Sequence, residues 1–262
     1  MSVTPIRVSR RGRLNRRISP VFLGIAAAMA ASGWALAADY PSHTRFAVFL
    51  FVVSGWLLSL CLHEYAHARA ALASGDLSIE DKGYLTLNPL KYANAGLSIL
   101  LPLVFVVLGG IGLPGGAVEV ERHRIRGRLR HSLVSAAGPL ANVVFAVALM
   151  LPFSLGWADG WQLEFRFAFA FLALLQVTAA IVNLLPVPGL DGYGVLEPWL
   201  PRSVRQQLAP FAPFGMLAVF VVLYIQAVNH WFFDRMYTVM GWFHVPDGYA
   251  YYGYTLFRFW HH

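Results

Sequence analysis

One cysteine in 262 residues leaves this chain without an intramolecular disulfide and without a thiolate zinc cluster. Cys61 stands alone, so cysteine usage leaves the redox compartment open. Charge is sparse too: only 13% of residues are Asp, Glu, Lys or Arg against 58% hydrophobic, and the mean hydropathy of +0.57 is far too apolar for a soluble domain of this length. Acidic residues are missing from residues 1–20, where Arg7, Arg10, Arg11, Arg13, Arg16 and Arg17 cluster. A phosphate-binding loop is missing as well, because Pro114-Gly115-Gly116 has no strand and helix around it and reads as a turn. No nucleic-acid motif accompanies the formal charge of +7, so the arginines report membrane orientation rather than an anionic polymer. Repeats, low-complexity linkers and a stretch able to form a separate soluble domain are also lacking. What remains is an all-α polytopic membrane protein with about five to six crossings.

The long apolar runs and the basic segments fix a topology. Residues 1–20 form a basic segment that the positive-inside rule holds in the cytoplasm. Val21 to Ala38 follows, either as a retained helix or as a signal sequence, since Ala35-Leu36-Ala37 before Ala38-Asp39 resembles a cleavage site. Phe46 to Ala73 is long enough to cross a hydrocarbon core of about 30 Å and returns to the cytoplasm. Residues 82–89 alternate weakly, as a short membrane-associated β element or as a connecting loop. Gly96 to Gly112 is short and broken by Pro102, Gly109 and Gly110, and a full crossing would put Arg122, Arg124, Arg126, Arg128 and Arg130 outside. It therefore reads as a re-entrant or interfacial segment. Ser132 to Trp157 goes out, Phe165 to Leu185 returns, and Phe211 to Val228 goes out again. The resulting organisation is a membrane-embedded domain at 21–229 with its core at 46–192, followed by an aromatic-rich segment at 230–262. That last segment suits the membrane interface, or conceals a sixth crossing.

The chemistry sits at the cytoplasmic end of the second run, in Leu62-His63-Glu64-Tyr65-Ala66-His67. Residues four apart share a helix face, so His63 and His67 can offer two imidazoles to one Zn²⁺ while Glu64 lies beside the metal to handle protons. Cys61 lies about 200° around the helix from His63 and cannot share that face. Asn142 is a polar group at membrane depth near the cytoplasmic start of the Ser132 run, and the small residues around Gly138 permit close helix approach. Asp191 follows Pro186, Pro188 and Gly189 at the cytoplasmic end of the third core run, where the prolines break the helix. Charge topology thus puts three polar elements at one depth, and buried ionisable groups are expensive there unless paired or bound to metal.

These three segments resemble the site-2 proteases, zinc metalloproteases that cut within membrane-embedded helices. The resemblance rests on H-E-x-x-H at 63–67, Gly138-Pro139-x-x-Asn142, and Asn183-x-x-Pro186-x-Pro188-x-Leu190-Asp191-Gly192, in the expected order over roughly residues 46–192. It implies that His63, His67 and Asp191 hold one Zn²⁺, that Glu64 is the catalytic base, and that Asn142, with Asn183, lies near substrate or transition state. It also implies single-pass membrane proteins as substrates, while compactness and the arginine-biased topology point to a bacterial inner membrane with the site toward the cytoplasm. The 83–90 stretch is similar to one branch of the family and would hold an unwound substrate by strand addition. A PDZ or CBS domain, which assists control in many members, has no room in this sequence.

The remaining histidines carry less. His123 and His131 flank the arginine-rich segment and read as solvated or at headgroups; His43, His230 and His244 fall on the far side; His261 and His262 are terminal. Two competing functions use the same residues. An idle family member would bind client helices as a chaperone or scaffold, but binding alone requires neither Glu64 nor Asp191. A metal transporter would need polar groups at several depths, whereas these share one. Oligomeric state and substrate identity are not encoded in any of these motifs.

Overall fold

A computed structural model of the chain describes residues 18–38, 43–92 and 119–260. The expected re-entrant segment at 96–112 and the basic residues before Ile18 lie outside them. Ten α-helices are described: α1 Pro20–Ala37, α2 Thr44–Ala73, α3 Ser78–Lys82, α4 Arg128–Ser154, α5 Leu163–Asn183, α6 Asp191–Leu196, α7 Arg202–Leu208, α8 Gly215–Tyr224, α9 Gln226–Gly241 and α10 Tyr249–Phe257. Five helical stretches are long and apolar enough to cross a membrane: α1, α2, α4, the Leu163–Leu184 stretch that contains α5, and the Arg202–Tyr224 run that contains α7 and α8. The fold is therefore all-α and polytopic, as the apolar runs predict. Neither α9 nor α10 is among these five, so among the described residues the aromatic C-terminal segment has no helix that is long and apolar enough by itself to cross a membrane.

The bundle is organised around α5. Every residue from Ala170 to Ala180 is buried, which is the signature of a helix apolar on all sides and enclosed by neighbours. α2, α4 and α10 pack directly against it, and α1 packs along α2. Gly253 lets α10 approach so closely that a Cβ there would collide with the Phe167 carbonyl. The 30 residues of α2 extend about 45 Å at 1.5 Å each, half again the thickness of a hydrocarbon core of about 30 Å. His63 and His67 lie in its second half. α1 starts cleanly because Ser19 caps it, accepting the Val21 amide at 3.2 Å, and Pro20 at the first helical position has no amide to leave unpaired.

No strand forms among the described residues, and the β element expected at 82–89 is a series of tight turns. Gly83 and Leu87 take left-handed conformations with φ of 72° and 57°, which an extended strand cannot contain, and Pro89 opens a further turn capped by Asn88. The weak polar alternation there reflects turn chemistry, with Thr86 donating to the Gly83 carbonyl at 2.8 Å. An edge for strand addition is thus not offered by residues 83–90.

This loop is tied to the segment leading into α4. The fully buried Asp76 carboxylate accepts the Ser78 amide at 3.1 Å, the Ser78 hydroxyl at 2.6 Å and the Glu121 amide at 2.7 Å. Burial pushes its pKa up, but these hydrogen bonds and Lys82 outweigh that and hold it below the usual carboxylate value. Of the five arginines at 122–130, Arg122 pairs with Glu197 and Arg124 with Glu121. Those two contribute to loop structure as well as to topology.

Candidate metal centre

Three segments far apart in sequence converge on one point. His63 and His67 project from α2 with their Nε2 atoms 3.1 Å apart, and the Oδ2 of Asp191 lies 3.3 Å from each. Asp191 reaches them because the chain breaks after α5 at Leu184 and turns through Pro186, Pro188 and Gly189 before α6 begins. Gly192 makes the turn tight: its backbone lies against the Leu184 and Leu185 carbonyls, where any Cβ would collide. Both histidines are buried, and Glu64 beside them is only 2% exposed.

Each imidazole is locked in the orientation a metal requires. The Nδ1 of His63 meets the Asn142 Oδ1 at 2.5 Å, and the Nδ1 of His67 meets the Val134 carbonyl at 2.7 Å. Both partners on α4 are acceptors, so each Nδ1 carries the proton and each Nε2 lone pair faces the other histidine and Asp191. Asn142 is held in turn. Its Nδ2 donates to the Ser59 hydroxyl at 2.9 Å and to the Gln176 Oε1 at 3.0 Å, and Ser59 donates to the same Gln176 oxygen. Ser59 lies one helical turn before His63 and Gln176 is fully buried on α5, so α2, α4 and α5 all brace one imidazole.

The donor set fits zinc. Tetrahedral zinc with bonds of about 2.0–2.1 Å to nitrogen and oxygen places neighbouring ligands roughly 3.3–3.4 Å apart, close to the three edges observed here. Two imidazole nitrogens and one carboxylate are three protein ligands, the number found where zinc is catalytic. Gly138 of α4 supplies the space. A Cβ on Gly138 would lie 2.5 Å from the His63 Nε2 and closer still to that of His67, so it would occupy the point on which the ligands converge. As a zinc ligand Asp191 would serve in its carboxylate form.

His63, His67 and Asp191 are thus brought together as the sequence leads one to expect, and Glu64 is buried on the same turn. Asn142 is at the site with both ends of its amide engaged by the protein. Asn183, buried, is the last residue of α5 and stands outside the three-residue group. Cys61 is fully buried on another face, with Tyr92 donating to its carbonyl at 3.2 Å. Sequence reading overlooked Ser59 and Gln176. Their signal was available, since each is a polar residue within an apolar run at membrane depth.

Comparison with known proteins agrees with this geometry. The chain is 45% identical to "Putative zinc metalloprotease Rip2" of Mycolicibacterium smegmatis, over 99% of this chain and 98% of that protein. It is 42% identical to the Mycobacterium tuberculosis (strain H37Rv) protein of the same name, over 93% of this chain and 95% of that one. "Putative zinc metalloprotease YwhC" of Bacillus subtilis is 31% identical over 67% of this chain and 80% of its own length. No protein-family model matches the chain, and no solved structure does. Similarity of this degree over nearly the full length decides the matter: the chain belongs to the site-2 protease family of zinc metalloproteases.

Proposed function

We propose that the protein is an intramembrane zinc endopeptidase that hydrolyses peptide bonds in or near the transmembrane helices of single-pass membrane proteins, with Glu64 as general base. The observation that carries this reading is the Nε2, Nε2 and Oδ2 triangle, formed by two buried histidines in the second half of a helix long and apolar enough to cross a membrane and by Asp191 of α6, with a buried glutamate alongside. Measured from the end of α2, His67 lies about 9 Å and His63 about 15 Å back along the helix. With the overhang of α2 shared between the two faces, the site lies at or just beneath a bilayer surface. The charge pattern supports a cytoplasmic face for that surface, in what we take to be a bacterial inner membrane.

His63, His67 and Asp191 would hold the zinc, which when bound would make water acidic near neutral pH and stabilise negative charge on a carbonyl oxygen. Glu64 accepts the proton released as water attacks the peptide carbonyl and delivers it to the leaving amine. Its burial excludes competing solvent. Asn142 acts through His63: by accepting the Nδ1 proton it fixes the tautomer and orients the ring. Ser59 and Gln176 position Asn142. The substrate peptide must unwind locally to expose a carbonyl, because a helix occupies its carbonyls in hydrogen bonds.

The test compares wild-type and Glu64→Gln protein in membranes containing single-pass proteins, reading new peptide termini by mass spectrometry and zinc by elemental analysis. Wild type generates termini within transmembrane helices; Glu64→Gln keeps zinc and loses cleavage by about 10²-fold or more. Undiminished cleavage by Glu64→Gln, or termini confined to soluble segments, overturns the reading.

A further inference from the structure

We propose a second site, for the phosphate of an anionic phospholipid headgroup, in a surface cavity of about 490 Å³ between the start of α4 and the start of α7. Arg128 and His131 line it from α4, and Arg202 and Arg205 from α7, with Pro198, Leu200 and Pro201 completing the wall. None of the three arginines has a carboxylate within ion-pair distance among the described residues. Glu197, the acidic residue nearest in sequence to this wall, is taken by Arg122. Three guanidinium groups around one concavity concentrate positive charge that the protein does not neutralise, and their planar forks match phosphate oxygens two at a time. The position selects lipid. Both helical stretches that open at the cavity, Arg128–Ser154 and Arg202–Tyr224, are long and apolar enough to span the membrane, so the cavity lies at headgroup level. Its proline and leucine wall suits the glycerol and upper acyl atoms of a lipid better than a fully hydrated ion.

A bound headgroup also braces the centre. The wall residues follow α6, which carries Asp191, and this segment is fastened to α4 by Ser132, whose hydroxyl donates to the Val195 carbonyl at 2.6 Å and accepts the Trp199 indole at 2.9 Å. Phosphate spanning Arg128 and Arg202 ties α4 to α7, the helix that follows this segment.

The experiment is native mass spectrometry of the purified full chain in neutral detergent with phosphatidylglycerol. It compares wild type, a triple variant (Arg128→Gln, Arg202→Gln, Arg205→Gln) and a control that removes three exposed charges outside the cavity (Lys91→Gln, Arg126→Gln, Arg130→Gln). One phosphatidylglycerol is retained by wild type and by the control, and the cavity variant loses about 100-fold in affinity, on the order of fivefold per arginine. Circular dichroism and a melting temperature equal to wild type verify that the cavity variant is folded. Equal loss in cavity and control variants, or no loss in either, overturns the site. Competition with inorganic phosphate separates the sources: lipid retained at millimolar phosphate supports a headgroup site, and displacement there overturns the lipid assignment in favour of a free anion.

Discussion

Replacing Gly138 with alanine tests whether the ligands converge where the geometry says they do. The added carbon would lie 2.5 Å from the His63 Nε2, whereas ordinary contact begins at 3.4 Å, so that atom must retreat by about 0.9 Å or α4 must withdraw by as much. A metal site keeps its bond lengths within about 0.2 Å, so the displacement is several times what coordination tolerates. Overpacking itself costs only about 1–3 kcal/mol, which a bundle of this size can absorb. Gly138→Ala is therefore expected to retain helical content by circular dichroism yet hold less than about a tenth of the wild-type zinc after dialysis against a weak chelator. Elemental analysis reads the metal directly. A Gly138→Ala protein that binds one zinc with wild-type affinity would refute the placement of the site between α2 and α4.

Further outcomes follow from other contacts. Asn142→Leu removes the acceptor on His63 Nδ1 and should weaken zinc binding about 10- to 100-fold in a chelator competition, while Asn142→Asp, which keeps an acceptor, recovers most of it. Asp191→Ala leaves two ligands and should abolish both zinc retention and cleavage, with the fold preserved by thermal unfolding of the metal-free forms. Asp76 has its folded-state pKa depressed, so its contribution to stability is complete above the unfolded value of about 3.9 and is lost as pH falls through the folded value. The melting temperature of wild type should exceed that of Asp76→Asn at pH 7, with the gap closing below about pH 4; a gap independent of pH would count against the carboxylate. Cys61, fully buried, should react with maleimide only after denaturation.

The parts of this site that were legible in the sequence obey short-range rules. His63, Glu64 and His67 occupy one helix, and a period of 3.6 residues suffices to place both imidazoles on one face. Asp191 was reachable because charge bias assigns each span end to a side of the membrane, and depth follows from counting. Gly138 appeared in sequence as a small residue allowing close approach and as the start of the Gly138-Pro139-x-x-Asn142 segment; that it faces the two Nε2 atoms depends on how α4 crosses α2, which no local pattern encodes. The same holds for Ser59 and Gln176, whose hydrogen bonds to Asn142 span 83 and 34 residues. The turns at 83–90 resembled a strand because polar and apolar residues alternate in both, and the left-handed Leu87 is invisible to any alternation rule.

The separation of the ligands along the chain also imposes an order on biogenesis. His67, the later of the histidine pair, leaves the ribosome 124 residues before Asp191. At about 5–20 residues per second, the histidine pair waits roughly 6–25 s for its carboxylate, during which α4 and α5 must be inserted and the turn at Gly192 formed. A nascent chain that has completed only α2 holds a two-ligand fragment of low affinity. Zinc loading is thus a late step, coupled to insertion of the third core span, and a chain stalled before residue 191 leaves translation without a competent hydrolytic centre.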